Sequence, residues 1–156
     1  MRNAFKFILF IAFISLANTT FAQKDWQWPA HGVGFSAPSN LKVTTNNDTE
    51  FSAEGSDVFL TIQPIQDASI TEEHLAEALV TVAEEMEYED IHAADALHID
   101  DFVGYFVEGT KDGVGAFIIL LLDKKSSTNL VIVMAYTSDA GRNKAIAIGD
   151  SFYAFD

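Results

Sequence analysis

Two stretches of sequence decide the fold: Ala116-Phe117-Ile118-Ile119-Leu120-Leu121-Leu122 and Leu130-Val131-Ile132-Val133-Met134-Ala135-Tyr136. Each has the length of a β-strand and is far too short to cross a membrane as a helix. A turn over Lys124 to Asn129 separates them. Because both stretches are apolar at successive positions, both faces of each strand must be buried. The sequence therefore predicts the middle of an antiparallel sheet with a covering layer on each side.

Further short strands are predicted on both sides of this pair. Val58, Leu60 and Ile62 alternate with more polar positions, which is the period of two expected of a half-buried strand. Turn residues separate four N-terminal strands, which we expect to form an antiparallel meander: Val33 to Ala37, Leu41 to Thr44, Phe51 to Ala53 and Val58 to Ile65. A strand over Phe102 to Glu108 leads into the hairpin turn Lys111-Asp112-Gly113.

Two helices are predicted as the covering layers. The segment from Ser69 to Tyr88 contains no glycine or proline, and its apolar residues recur at spacings of three and four: Leu75, Leu79, Val82, Ala83 and Met86. A second helix can begin at the cap Ser138-Asp139 and place Ala145, Ile148 and Phe152 on one face. Ile146 and Ile148 also alternate, which leaves a final strand as the alternative. The prediction is an α+β fold, a three-layer α/β/α sandwich around an antiparallel sheet of about six or seven strands.

The N-terminus has the pattern of a secretory signal. Arg2 and Lys6 precede an apolar run from Phe7 to Ala17, and the small-residue exit Thr20-Phe21-Ala22 follows. The run has about half the roughly 20 residues of a membrane-spanning helix. We predict a signal peptide over residues 1–22, cleaved near Ala22, and one soluble domain over 23–156 that is periplasmic or secreted. An uncleaved N-terminal anchor is the alternative.

Composition excludes several classes of function. The 156 residues are 49% hydrophobic and 21% charged, a globular profile, and contain no cysteine. Disulfides, thiolate metal sites and cysteine nucleophiles are therefore excluded. Without Arg2 and Lys6, seven of the nine basic residues remain against 23 acidic ones, which gives a net charge of −16. So acidic a domain should be repelled by nucleic acid and by anionic membrane surfaces.

Four stretches carry a family resemblance: Gly34-Phe35-Ser36-Ala37-Pro38, Thr71-Glu72-Glu73-His74-Leu75-Ala76, Gly104-Tyr105-Phe106-Val107-Glu108-Gly109 and Ala147-Ile148-Gly149-Asp150-Ser151-Phe152. In this order they resemble the PsbP/Mog-type α/β/α sandwich, which includes exported bacterial PsbP- or DcrB-related domains of unassigned function. The resemblance implies a non-enzymatic accessory or binding protein. Photosynthetic members assist the water-oxidising complex, and Mog proteins bind a small GTPase. Bacterial relatives are often lipoproteins, whereas this chain lacks the cysteine that lipid attachment requires.

Two groups of residues are candidates for a catalytic or metal-binding site. Gly149-Asp150-Ser151 is similar to a hydrolase nucleophile block, but no histidine follows it, so we reject serine hydrolysis. On a strand, His92 and His98 would share a face with Asp100, while Asp95 would point away. These ligands would spread over roughly 20 Å, too far for one ion, so His98 with Asp100 is at most half of a metal site. A metal-dependent or hydrolase-like enzyme that uses carboxylates with His92 or His98 is the alternative function, and no cofactor is predicted.

The acidic residues are unevenly distributed. Residues 23–101 contain 17 acids against Lys24 and Lys42, whereas residues 102–156 contain six acids against five basic residues. Five of these acids belong to the first predicted helix: Glu73, Glu77, Glu84, Glu85 and Glu87. They could serve solubility alone, form a docking face for a basic partner, or bind calcium weakly.

An aromatic pair, Trp26 and Trp28, precedes the first predicted strand. It could stack a sugar or a peptide, but we expect it to pack across a sheet edge, since large aromatic side chains usually supply burial. Together the patterns predict an exported, soluble accessory or binding protein without catalytic activity that engages a protein partner. The partner and the oligomeric state are left open.

Overall fold

The structure, a computed structural model, describes residues 22–65, 69–125 and 128–155. Its centre is a seven-stranded antiparallel sheet in the order β3-β4-β5-β9-β8-β7-β6. The strands of this sheet are β3 (Lys42–Asn46), β4 (Phe51–Glu54), β5 (Val58–Ile65), β6 (Asp95–His98), β7 (Phe102–Lys111), β8 (Val114–Asp123) and β9 (Asn129–Tyr136). The predicted fold class and strand number are confirmed.

The strands that decide the fold lie in the middle of this sheet. Residues 116–121 of β8 are buried without interruption on both faces. In β9, by contrast, Leu130, Ile132 and Met134 are buried, while the alternating Val131 and Val133 are only half-buried. The cover is therefore complete over β8 and thinner over β9.

A tight hairpin joins β7 to β8. Both turn residues, Asp112 and Gly113, have positive φ angles, 53° and 79°. This is the geometry of a type I′ turn, whose twist matches that of the two flanking strands. The hairpin predicted from Lys111-Asp112-Gly113 is confirmed.

One helix covers each face of the sheet. Helix α1 (Leu75–Glu85) packs on β7 and β8, and helix α2 (Asp139–Gly149) packs on β5, β8 and β9. Leu75, Leu79 and Ala83 of α1 are fully buried against Ile118 and Leu120 of β8. On the other face, α2 contributes Ala145 and Ile148 to a larger apolar cluster.

A second sheet, which the sequence analysis did not anticipate, completes the layer that contains α2. It consists of β1 (Gln23–Trp28), β2 (Val33–Pro38) and β10 (Tyr153–Ala154), in the order β1-β2-β10. The prediction that Val33 to Ala37 joins the N-terminal meander is wrong, because this segment pairs with β1 and β10 instead. The final strand also lies later than the alternation of Ile146 and Ile148 suggested, since both of those residues are in α2.

The predicted helix from Ser69 to Tyr88 is shorter in the structure. A 3-10 turn over Glu72–His74 precedes α1, which ends at Glu85. Beyond it, the amide of Tyr88 donates to the carbonyl of Ala83, and that of Glu87 donates to Glu84. Glu87 has a φ of 66°. This is a Schellman motif, in which a left-handed residue ends the helix.

The predicted cap of α2 is confirmed. The Ser138 hydroxyl accepts a hydrogen bond from the Gly141 amide at 3.0 Å. Phe152 is buried as expected, but it lies beyond the end of α2 rather than on its face.

The predicted signal peptide falls almost entirely on residues 1–21, which lie outside the described residues. None of the helices in the described ranges has the length and apolar character needed to cross a membrane.

Candidate functional site

The acidic face lies on the solvent side of α1. Glu73 is in the preceding 3-10 turn, Glu77, Glu84 and Glu85 are on the helix, and Glu87 is in the terminating motif. All five side chains are exposed. In the described part of the chain, one of the five forms an ion pair: Glu87 lies 3.9 Å from Lys111 Nζ. The predicted residues therefore form one exposed surface, which we call the α1 acidic face.

A groove runs along one flank of α1. Its volume is about 360 Å³, and its lining combines apolar and acidic groups: Ser69, Ile70, His74, Glu77, Ala78, Thr81, Val82 and Glu85. Two of the five predicted acids, Glu77 and Glu85, thus border a recess with apolar side chains at Ile70 and Val82. The charge pattern of the sequence predicts the acids but not the recess, because the recess depends on how the preceding segment packs against the helix.

The candidate His and Asp metal ligands do not lie on one strand. Strand β6 contains Asp95 and His98, whereas His92 precedes it and Asp100 follows it. The shared face expected for His92, His98 and Asp100 requires one continuous strand, and β6 contains His98 but neither of the other two. Within the described ranges, no three His, Asp or Glu side chains lie close enough together to hold a metal ion. A site at His98 and Asp100 stays a prediction.

Ser151, from the hydrolase-like block, connects α2 to the small sheet. Its hydroxyl accepts from the Ser36 amide at 2.9 Å and lies 3.1 Å from the Ser36 carbonyl and 2.7 Å from that of Ile148. The Ser151 hydroxyl thus bonds to the backbone of Ser36 on β2, which lies beyond the two residues that pair with strand β10. This is a structural position for a serine.

The two tryptophans have the packing role expected of them. Trp28 is completely buried, and its indole nitrogen donates to the Asn47 carbonyl at 2.6 Å. Trp26 packs against the same apolar cluster, although its indole N–H has no partner among the described residues. Neither ring is free to act as a stacking platform on both faces.

Two ion pairs connect α2 to β7 and to the turn before β5. The Arg142 guanidinium donates twice to Glu108 on β7, at 2.7 and 2.8 Å, and the Tyr136 hydroxyl donates to the same carboxylate. Lys144 Nζ donates to Asp57 at 2.7 Å. Hydrogen bonds from Arg142 and from Lys144 hold the pKa of Glu108 and of Asp57, respectively, below their usual ranges. Each carboxylate therefore remains ionised at neutral pH and holds α2 in place.

A polar cleft of about 330 Å³ lies where the small sheet meets the end of the large one. Asp101 and Asp123 face it together with His31 and Lys125. Asp101 already accepts a hydrogen bond from the Ala154 amide, and His31 bonds to the Asp48 carbonyl. Its residues are up to 124 positions apart in the sequence, from His31 to Phe155, so no local motif could have revealed it.

The architecture defines a class: a three-layer sandwich whose antiparallel sheet is covered by one helix on one side and by a helix with a small sheet on the other. Solved structures with this arrangement include the Ran-binding protein Mog1p of Saccharomyces cerevisiae, with a TM-score of 0.59 and 11% identity over 88% of this chain and 97% of that one. A Mog1 point mutant matches with a TM-score of 0.55 and 13% identity over 87% and 97%. The likeness confirms the fold that the sequence resemblance implied.

A third solved structure, a protein of Bacteroides thetaiotaomicron, matches with a TM-score of 0.51 and 11% identity. The match covers 85% of this chain but 48% of that protein, so the chain spans about half of its length. No protein-family model matches the sequence, and no curated protein matches it. At these low sequence identities the structural matches support the fold assignment alone.

Proposed function

We propose that this chain is an exported accessory protein without catalytic activity, and that its α1 acidic face binds a protein partner with a basic surface. The observation that carries the proposal is the state of the acids on α1: all are exposed, and two of them border a groove whose lining is partly apolar. On the other side of the sheet, by contrast, Glu108 is paired with Arg142 and Asp57 with Lys144.

The arrangement on α1 is costly for the helix itself. Glu73 and Glu77 are four residues apart, and Glu84 and Glu85 lie at the negative end of the helix dipole. Each such placement costs a few tenths of a kcal/mol. An exposed face of one sign attracts a partner of the opposite sign and raises its rate of association.

The Mog1p structure belongs to a Ran-binding protein. A protein-binding role is therefore known for this fold, which supports the same general role here without indicating the partner. Export is part of the proposal because the N-terminus has the pattern of a secretory signal. The exported chain should therefore begin near Gln23, which N-terminal sequencing would show.

The test is a pull-down from the exported fraction in which salt and charge are varied separately. One variant replaces Glu73, Glu77, Glu84 and Glu85 with glutamine. The control variant changes the net charge equally at four exposed acids elsewhere: Asp48→Asn, Glu54→Gln, Asp100→Asn and Asp112→Asn.

The proposal expects a partner that is captured at low salt, released at high salt, lost with the α1 variant and retained by the control. Surface charges are screened within about 8 Å at physiological ionic strength, so the salt dependence should be steep. Equal loss in both variants would show that only net charge matters. Binding that survives in the α1 variant would refute the proposed face.

A further inference from the structure

The face of the large sheet that carries α2 is only partly covered. Helix α2 lies over β5, β8 and β9, and β6 and β7 extend beyond it. On this side, Leu97 of β6 and Phe106 of β7 are partly exposed and lie at the edge of the main apolar cluster. Ile146 on the adjacent flank of α2 is 40% exposed.

These side chains enclose a recess that we call the β6–β7 groove. It has a volume of about 50 Å³, with Leu97 on one side, Ile146 and Gly149 on the other, and Phe106, Phe117 and Ile119 beneath. The lining is apolar except for Asp150. An apolar recess with a polar rim is typical of a protein-binding surface, and one of this size fits a single aliphatic side chain.

The dimensions fit one additional helix. Strands β7 and β6 extend two strand spacings beyond β8, which is roughly 9–10 Å. Helices packed side by side have axes 8–10 Å apart. A helix next to α2 would therefore lie over β6 and β7, where its apolar residues at spacings of three and four could contact Leu97, Phe106 and Ile146.

The charges at the rim determine the kind of helix. Asp95 is directly opposite Phe106 in the sheet register, so it lies on the same face, and Asp150 is at the end of α2. Both are exposed. The cations of α2 are already occupied, because Arg142 binds Glu108 and Lys144 binds Asp57. A second copy of this chain is a poor occupant, since its own amphipathic helix α1 is acidic.

We propose that the β6–β7 groove is a second docking site, and that it binds an amphipathic helix of another protein with lysine or arginine beside its apolar stripe. The site lies on the opposite side of the sheet from the α1 acidic face. It is independent of the function proposed for that face, and the two sites together would allow the chain to bind two partner segments at once.

The test uses a peptide of defined sequence and determines where on the chain it binds. A 15-residue peptide with leucines at helical spacing and lysines elsewhere is titrated into the ¹⁵N-labelled chain, and amide shifts are mapped. The proposal expects the largest shifts at Leu97, Phe106, Ile146 and Gly149, and no comparable binding by the same peptide with glutamate in place of lysine. Shifts confined to α1, or equal binding of both peptides, would overturn it.

A matched pair of variants provides the second measurement. Ile146 and Phe59 are both 40% exposed, but Phe59 lies on the other face of the sheet. Ile146→Glu should weaken the affinity for the peptide about tenfold or more, which corresponds to a loss of about 1.4 kcal/mol in binding free energy. Phe59→Glu should leave this affinity unchanged. Equal effects would refute the groove. The variant with four glutamines on α1 should still bind the peptide at the β6–β7 groove. The groove can therefore be tested even if the α1 acidic face binds no partner.

Discussion

The two covering helices are attached to the sheet in different ways. Helix α1 is rich in large apolar residues and buries Leu75, Leu79 and Ala83, and no side chain of this helix has a hydrogen bond or ion pair to a strand among the described residues. Helix α2 has a weaker apolar face, with Ala145 and Ile148 as its buried side chains. It is instead connected by two ion pairs and by close contact of its glycines.

This difference shows how apolar area and polar contacts can substitute for each other. A helix that buries two leucines gains several kcal/mol from burial and needs no polar anchor. A helix with smaller apolar side chains gains less, so its position depends on specific hydrogen bonds and on backbone fit. Because α1 needs no polar attachment, its outer face is free to carry charge.

The largest expected effect is on the apolar attachment of α1. Leu79→Ala removes a fully buried side chain and leaves a cavity against the sheet, so we expect the free energy of unfolding to fall by about 3 kcal/mol. Denaturant unfolding monitored by circular dichroism measures the change. Val82→Ala on the same helix, where the side chain is half-exposed, should cost about 1 kcal/mol. Equal losses would show that α1 is not attached through one buried stripe.

The close contact of α2 is tested by Gly141→Ala. A Cβ atom at this position would lie 2.1 Å from the Asp57 carbonyl oxygen, so the helix or the turn must shift. Alanine favours helices by about 1 kcal/mol, and we expect a net loss of about 2 kcal/mol in thermal or denaturant unfolding.

Gly149→Ala is the matched control in the same helix. There the nearest atoms are the flexible ends of Ile119 and Met134, at 3.3 and 3.4 Å. This variant should change stability by less than about 1 kcal/mol. A stable Gly141→Ala protein would contradict the role of backbone fit.

The ion pairs of α2 should make its attachment sensitive to acid. Lys144 lowers the pKa of Asp57 below its ordinary value of 3.8, and both side chains are largely buried, with 13% and 17% exposed. The unfolded chain therefore binds a proton more readily than the folded chain. The stability from this pair is complete above about pH 4 and is lost as the pH falls through the lowered pKa.

Asp57→Asn should accordingly lower the free energy of unfolding by about 2 kcal/mol at pH 7 and by much less at pH 2.5. Urea unfolding at the two pH values measures this difference. Glu77→Gln on α1 serves as the comparison and should have little effect at either pH, since the carboxylate is exposed. A pH-independent loss for Asp57→Asn would mean that its charge does not contribute.

The smallest expected effect has the opposite sign. Glu87 ends α1 with a φ of 66°, a conformation that glycine adopts without steric cost. Its ion pair with Lys111 is long and exposed, and such pairs contribute little. Glu87→Gly should therefore stabilise the protein by up to about 1 kcal/mol in chemical unfolding, whereas Glu85→Gly, with the same loss of charge inside the helix, should destabilise it by about as much.

Local patterns predicted the large sheet and missed the small one. Val58 to Ile65 was predicted with the bounds that the structure has, because its alternation is visible within eight residues. Strand β10 has two residues, and it pairs Tyr153 with Gly34, which is 119 positions earlier in the sequence. The Tyr153 ring lies where a side chain at position 34 would be, so the glycine there is required by a partner that no local pattern indicates.

The candidate sites were predicted to different degrees for a related reason. The α1 acidic face was predicted residue by residue, since a helix places neighbouring positions on one surface. The grooves were not predicted, because Leu97 and Ile146 are 49 positions apart in the sequence and meet only in the folded chain.

The sequence by itself determined the apolar strands, the two helices and the acidic surface, because each depends on periodicity and charge over a short stretch. Only the tertiary structure decided that the N-terminal hairpin forms a separate sheet, that α2 is fixed by Asp57 and Glu108, and that β6 and β7 extend beyond their cover. These features depend on contacts between distant segments, whose geometry is set by packing of the whole chain rather than by the preference of any one segment.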